Sequence, residues 1–369
     1  MKKLRFKRNV TKIILSLSIV SILFFTVFNL CSNADSIAIG KFGSCNWEIK
    51  LDQSKYILEI ESGVFDPTGS TEGIDIPSIY KPSIKTVKFK GTVVADEDVS
   101  SLFKGFTGLT TIEGLQFLDT SRCINMSNMF YECRSLNNLD LSSFNTLEVK
   151  DMSSMFFYCY VLDNLNLGDN FNTSKVTNMS NMFNNCSMLK ILNVSKFDTS
   201  KVTDMSGMFA NCYTLNNIDV SKFDTSKVID MNGMFYLCYT LNNIDVSKFD
   251  TSKVTDMSGM FANCIKLNDI DVRKFNTSNV TNMSRMFYHC VELENIDVRK
   301  FNTSNVTNMS NMFDTCIKLE TLDLSNFDTS KVINMGYMFF ECSNLEELII
   351  SKFDTSKVTD MSGMFANCI

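Results

Sequence analysis

The fold of this chain is decided by residues 197–222, which read FDTSKVTDMSGMFANCYTLNNIDVSK. Close copies of this 26-residue unit begin at Phe223, Phe249, Phe275, Phe301 and Phe327, and a shorter copy begins at Phe353. A fixed period of this length predicts a solenoid, because each unit leaves an apolar face that only its neighbours can cover.

A column of cysteines gives the period of the repeat. Its members are Cys133, Cys159, Cys186, Cys212, Cys238, Cys264, Cys290, Cys316, Cys342 and Cys368. The interval is 26 residues except once, where it is 27 and an extra residue falls near Gly168 and Asp169. Residues 119–369 therefore contain about ten repeats, of which the last is incomplete.

Two hydrophobic periods alternate within one unit. Met205, Met208, Phe209 and Cys212 are three or four residues apart, which predicts a short helix with Asp204 or its neighbour as the N-cap. Ile218 and Val220 alternate with polar residues, which predicts a short strand with one buried face. The predicted fold is an α/β solenoid with one short parallel strand and one short helix per turn.

The repeat resembles a known family. Its pattern, Leu/Ile-Asp-Leu/Val-Ser-x-Phe-Asp/Asn-Thr-Ser-x-Val-x-x-Met-Ser-x-Met-Phe-x-x-Cys, is similar to the leucine-rich-repeat variant of BspA-like bacterial surface proteins. The resemblance covers about two thirds of the chain, and residues 86–118 resemble that family's degenerate first repeat. It implies a leucine-rich-repeat-like solenoid, export to the cell surface, and adhesion to host or neighbouring-cell proteins.

Residues 1–34 read as a targeting segment. Six basic residues precede an apolar run of 18 residues, 13–30, and the small-x-small pattern ending at Ala34 predicts cleavage before Asp35. The run is also long enough to remain as an uncleaved membrane anchor, and Cys31 leaves open a lipoprotein. All three alternatives predict a secreted or cell-surface protein that meets the membrane only through this segment.

The charge balance excludes some partners. Without residues 1–34 the chain has 29 basic and 41 acidic residues, a net charge of −12. This acidic balance argues against nucleic acid or anionic lipid as the main ligand.

Residues 35–85 differ in composition from the repeats. Two alternating stretches joined by Asp52-Gln-Ser predict a β-hairpin, and the only tryptophan, Trp47, lies in the first of them. A solenoid needs a cover for its first coil, so this region is interpreted as a β-rich N-terminal cap.

The cysteine column permits three interpretations. Export would favour disulfides between coils, but a 26-residue period matches neither a CxxC pair nor tetrahedral zinc spacing. Each cysteine falls on the apolar stripe of its unit, so buried thiols are favoured, with some disulfides or a metal as alternatives.

The candidate partner-binding surface is the outward side of the strands. Stacked like charges need an offset such as neighbouring Arg or Lys, and the rows of Asp and Arg vary from coil to coil. An ordinary solvated polar face is the alternative. The candidate ladder comprises Asp219, Asp245, Asp271, Arg273, Asp297, Arg299 and Asp323.

The sequence gives little support to an enzyme. His289 is the only histidine, it occupies a variable position of the repeat, and no nucleophile motif accompanies it. No phosphate loop or dinucleotide fingerprint occurs, and no cofactor or metal is predicted.

We therefore expect an exported repeat protein that binds extracellular or host proteins through its strand face. The alternative is a structural surface protein that self-associates, since the last unit stops before its strand half and leaves an open C-terminal coil. A truncated gene product or a missing downstream part would also explain that open coil.

Overall fold

The chain winds into a parallel β-solenoid, as the repeat predicts. The computed structural model describes residues 35–65 and 74–368. One Asp or Asn of each coil forms a parallel bridge with its counterpart in the next coil. This bridge column has eleven members: Asp98, Asn125, Asp151, Asn178, Asp204, Asp230, Asp256, Asn282, Asn308, Asn334 and Asp360.

The N-terminal region is a sheet that leads into the coils. Strands β1 (Asp35–Phe42), β2 (Cys45–Asp52) and β3 (Lys55–Ile60) are antiparallel. Gln53 and Ser54 join β2 to β3 at φ of 44° and 67°, the left-handed values that a two-residue hairpin turn uses. The predicted hairpin is therefore confirmed.

Parallel pairing begins at this hairpin. Strand β3 pairs with β5 (Ile84–Phe89), which pairs with β7 (Thr111–Glu113). A second sheet has the order β4 (Gly63–Phe65), β6 (Val93–Ala95) and β8 (Leu118–Asp119). A 3₁₀-helix at Leu115–Phe117 precedes β8. The N-terminal sheet therefore continues into the hydrogen bonding of the solenoid.

The predicted strands are present near the two ends of the repeat array. Strand β9 (Asn138–Asp140) pairs with β10 (Asn164–Asn166), and β11 (Thr321–Asp323) pairs with β12 (Glu347–Ile349), all in parallel. The coils between them have one bridge at this position, between Ile191 and Asn217. The pairing of strands between coils is therefore interrupted in the middle of the array. Ile218, in this part of the chain, nevertheless remains only 4% exposed.

The predicted helix is wrong. Residues 205–212, and their counterparts in every other described coil, form a series of turns that we call the turn arc. Within it, Met208 N–H donates to the Met205 carbonyl at 3.2 Å, whereas Phe209 N–H donates to Met234 of the next coil at 2.9 Å. No α-helix occurs in residues 35–65 or 74–368.

Two features exclude a helix from the turn arc. Gly207 and Asn211 have φ of 59° and 60°, in the left-handed region that interrupts a right-handed helix. The Phe209 and Phe235 rings of successive coils lie 5.6 Å apart, whereas a helix with its side chains is about 10 Å wide. The turn arc instead bonds its backbone between coils.

Stacked apolar columns fill the interior. The phenylalanines of successive turn arcs stack with ring centroids 5.3–6.1 Å apart along the array from Phe103 to Phe365. Met205, Met208 and their counterparts are fully buried from the coil of Met126 to that of Met338. These methionines are therefore core residues, since a flexible thioether fills irregular gaps.

A buried threonine column links neighbouring coils. Thr173 is 1% exposed, its hydroxyl donates to the Asp198 carbonyl at 3.0 Å, and it accepts from the Asp198 N–H at 2.8 Å. The Thr-Ser turn of the repeat is thus partly internal, although both of its residues are polar. Each such hydroxyl satisfies backbone groups that stacking removes from water.

The cysteine column consists of free thiols in the structure. The Cys212 Sγ donates to the Phe183 carbonyl of the preceding coil at 3.2 Å, and the pattern repeats from Cys133 to Cys368. Burial raises the pKa of Cys212 and Cys290 to about 12. The interpretation as buried thiols is therefore confirmed for the column from Cys133 to Cys342, whereas Cys368 is exposed.

We expect the buried thiols to resist alkylation. At pH 8 a pKa near 12 leaves on the order of one thiol in ten thousand ionised, and only the thiolate reacts. Iodoacetamide followed by mass spectrometry should modify the exposed Cys368 in the folded protein and leave Cys290 unmodified. Denaturation should make the two equally reactive. Equal labelling in the folded protein would contradict the burial of the column.

Candidate functional site

The candidate ladder lies on the outward side of the solenoid. Asp219 and Asp245 are exposed and alternate with the buried Val220 and Val246. Asp271, Asp297 and Asp323 are partly exposed, and Arg273 and Arg299 are exposed. The outward orientation predicted from the alternation is therefore present in every coil of the ladder.

Each aspartate of the ladder also closes a local turn. The Ser221 N–H donates to Asp219 Oδ1 at 3.0 Å, and the Ser247 N–H donates to Asp245 Oδ1 at 3.0 Å. Bonds from the serine hydroxyl and N–H lower the pKa of both carboxyls. These carboxylates are thus partly used by the fold, which favours a structural role for the Ser-bearing coils.

Two coils differ because arginine replaces this serine. Arg273 donates from Nε to Asp271 Oδ1 and from Nη2 to Asp271 Oδ2, both at 2.9 Å. Arg299 holds Asp297 in the same way, at 3.0 and 2.9 Å. The arginine bonds lower the pKa of each aspartate to about 2. Two guanidinium groups are therefore held in matching orientations on adjacent coils.

The structure brings only part of the ladder into one site. A groove of about 470 Å³ is lined by Asp271, Arg273, Asp297, Arg299 and Asp323, together with Asp269 and Asn295. Asp219 and Asp245 do not line it. We call this groove the Arg–Asp groove.

We expect Asp271 to titrate with a midpoint near 2, and the variant Arg273→Ser to raise that midpoint. The folded pKa lies below the unfolded value of about 3.9, so the stabilisation is present above pH 4 and lost as the pH falls towards 2. Carbon-detected NMR titration of labelled aspartates can measure it. Asp219, which already has a serine partner, is the matched control, and an unchanged midpoint in the variant would contradict the assignment.

His289 and Asp35 do not line the Arg–Asp groove. His289 lies on the turn arc at φ 56° beside the Tyr288 ring, with centroids 5.9 Å apart. Asp35 begins β1, whereas Ala34 and the predicted targeting segment lie outside the described residues.

Among the described residues, no group of three or more His, Cys, Asp or Glu could hold a metal ion. No helix in that part of the chain is long and apolar enough to cross a membrane.

The sequence-based prediction missed the surface formed by the turn arc and by the residue that follows its cysteine. Eight of the ten tyrosines lie there: Tyr131, Tyr158, Tyr160, Tyr213, Tyr236, Tyr239, Tyr288 and Tyr337. Some stack between coils, as Tyr213 does on Tyr239 with centroids 5.0 Å apart. A signal was available, because these positions vary most from copy to copy while the core columns repeat.

The fold and its surfaces define a class of protein: a repeat protein built as a parallel β-solenoid. The family model described as "Mycoplasma protein of unknown function, DUF285" matches residues 92–188, 159–264, 216–316 and 290–369. These matches together span residues 92–369 of the 369-residue chain, so the chain belongs to this family.

The chain is similar to a leucine-rich repeat protein from Bacteroides ovatus ATCC 8483, with 15% sequence identity and a TM-score of 0.45. The similarity covers 91% of this chain and 80% of that one. No curated protein matches the chain.

Proposed function

We propose that this chain is an exported, surface-displayed repeat protein that binds protein partners, in the manner of an adhesin, through its outward strand face. The Arg–Asp groove is the observation that carries the proposal. Arginine is enriched among the residues that dominate binding energy at protein interfaces. Arg273 and Arg299 are about 60% exposed, yet each is already oriented by a bidentate partner. Such preorganisation lowers the entropic cost of binding.

The proposal of export rests on the sequence. Six basic residues precede the apolar run at 13–30, which is the pattern of an export signal or membrane anchor. The resemblance of the repeat to BspA-like surface proteins supports the same location and an adhesive role. Protease treatment of intact cells, followed by detection with an antibody to the repeats, tests display. Loss of the repeat signal before lysis is expected, and protection until lysis would overturn export.

Binding is tested with the full-length protein purified in mild detergent against immobilised extracellular-matrix and plasma proteins. The double variant Arg273→Ser/Arg299→Ser reproduces the serines of neighbouring coils and should therefore fold. We expect it to bind a partner at least about tenfold more weakly, the loss that corresponds to about 1.4 kcal/mol. Binding of no protein in the panel, or equal binding by the variant, would contradict the proposed site.

A further inference from the structure

A second groove lies on the turn arc, away from the Arg–Asp groove. It has a volume of about 450 Å³ and crosses several coils. One column of the repeat forms its floor and reads Asn181, Gly207, Gly233, Gly259, Arg285. Three glycines in succession are thus bounded by an asparagine at one end and an arginine at the other. We call it the arc groove.

The backbone does not require these glycines. Gly233 and Gly259 have φ of 56° and 61°, but Asn128 and Asn311 hold φ of 57° and 56° at the same position of their coils. A Cβ added to Gly233 would meet only the Tyr236 Cβ, at 3.5 Å, and one added to Gly259 would come no closer than 3.9 Å to any atom. Gly233 and Gly259 therefore leave open space that side chains could occupy, whereas a Cβ on Gly207 would clash with the Asn181 amide.

The walls of the arc groove are polar, and their side chains are held by hydrogen bonds to one another. Asn184 is about nine-tenths buried, donates to Asn181 Oδ1 at 2.7 Å and accepts from Asn211 Nδ2 at 3.1 Å. The Tyr236 ring, 36% exposed, rises beside the floor. Tyrosine with Ser, Gly and Asn is the composition of antibody binding loops, where a rigid ring supplies contact area and small polar groups supply hydrogen bonds.

The charge of the arc groove favours a ligand with an acidic group. Arg285 is exposed at one end and forms no ion pair with any described residue. No acidic residue lines the groove. A partner carboxylate at Arg285 would therefore form a charge-assisted hydrogen bond without competition from the groove itself. A neutral oligosaccharide would offer this guanidinium only neutral hydroxyl acceptors, whose hydrogen bonds are weaker than those of a carboxylate.

We propose that the arc groove binds an extended peptide segment of a protein partner, with a carboxylate at Arg285 and the peptide backbone over Gly233 and Gly259. The phenylalanine rings of the coils at this level are 5.6–5.8 Å apart. The floor is thus roughly 20 Å long, enough for about six extended residues. This inference rests on the proposed function for the nature of the partner, but it uses a separate surface.

The experiment pans a random heptapeptide display library against the full-length protein and measures the selected peptides by fluorescence anisotropy. We expect them to share an Asp or Glu. The double variant Gly233→Asn/Gly259→Asn should weaken their binding at least about tenfold. It should fold, because asparagine holds the same φ at Asn128 and Asn311. Melting temperatures check that it does.

Two further variants locate the contacts. Tyr236→Ala reproduces Ala210 and Ala262 of the neighbouring coils and should weaken every peptide. Arg285→Asn reproduces Asn311 and should weaken the acidic peptides, while peptides whose acid is replaced by its amide should bind both proteins equally. The two proteins and the two forms of each peptide make a double-mutant cycle. The cycle isolates the carboxylate contact from the rest of the groove.

The strand-face variant Arg273→Ser/Arg299→Ser is the matched control and should bind the peptides unchanged. Equal peptide binding by the groove-filled variant would overturn the inference. The inference would also be overturned if that variant kept its peptide binding and instead lost oligosaccharide binding or self-association. Groove-dependent peptide binding by a protein that binds no extracellular protein would instead uphold the arc groove and overturn the proposed function.

Discussion

Replacing Phe235 by alanine is expected to lower the free energy of unfolding by about 3–5 kcal/mol. Its ring is fully buried between those of Phe209 and Phe261, with centroids 5.6 and 5.7 Å away. Hydrogen bonds between coils hold the backbone on both sides, as from Phe235 N–H to the Met260 carbonyl at 2.9 Å. The coils therefore cannot close the cavity, and the loss should be near the upper end of the range.

The matched control is Phe365→Ala, at the same position of the last described coil. Its ring stacks on Phe339 with centroids 5.5 Å apart but is 46% exposed, so less apolar surface returns to water. Hydrogen exchange is the suitable measurement, because long repeat arrays do not always unfold in two states. Protection should fall around the coil of Phe235 far more than around that of Phe365. Equal losses would contradict the stacked core.

Replacing Thr173 by valine is expected to lower the free energy of unfolding by about 2–6 kcal/mol, although valine has nearly the same shape. The hydroxyl satisfies both the N–H and the carbonyl of Asp198, at 2.8 and 3.0 Å. Valine would leave both backbone groups unpaired beside a 1% exposed side chain, at about 1–3 kcal/mol for each group that stays out of water.

Thr173→Ser separates the hydroxyl from the methyl group. It keeps both hydrogen bonds and loses one methyl, so we expect it to retain most of the stability that valine loses. Denaturant unfolding of the three proteins, with hydrogen exchange at the Asp198 amide, measures the difference. A valine variant as stable as the serine variant would show that water replaces the hydroxyl bonds.

Several features could be predicted from local sequence because they depend on residue spacing. The period of the Cys column predicts the stacked coils, and the alternation around Ile218 predicts which side of the ladder faces outward. The pair Gln53-Ser54 between alternating stretches predicts the hairpin. Each of these properties is set by covalent distance along the chain and by the side on which an apolar residue must lie.

The turn arc shows where spacing is insufficient. Apolar residues three and four apart, such as Met205, Met208 and Phe209, suit one face of a helix and equally suit a series of tight turns. The choice depends on where each N–H finds its acceptor. Here a neighbouring coil lies close enough to supply one, as Asn232 does for Gly207 at 2.7 Å. That acceptor is 25 residues away, so no local window contains it.

For the two candidate surfaces, too, local sequence predicts some features and only the folded structure decides the others. Asp271 and Arg273 could be singled out because they depart from the serine-bearing copies, but their bidentate bond depends on the side-chain directions of the folded coil. Local sequence does not predict the arc groove, although the three glycines are visible in it. It exists because residues 26 apart become neighbours across a coil-to-coil step.

The sequence by itself determined that identical units stack and which columns they bury, since a repeated apolar pattern has no other way to leave water. Only the tertiary structure decided how the backbone of each coil is bonded and which outward side chains meet. The physical reason is that a hydrogen bond or a groove wall needs its partner within a few ångströms. In this protein the partner belongs to the next coil.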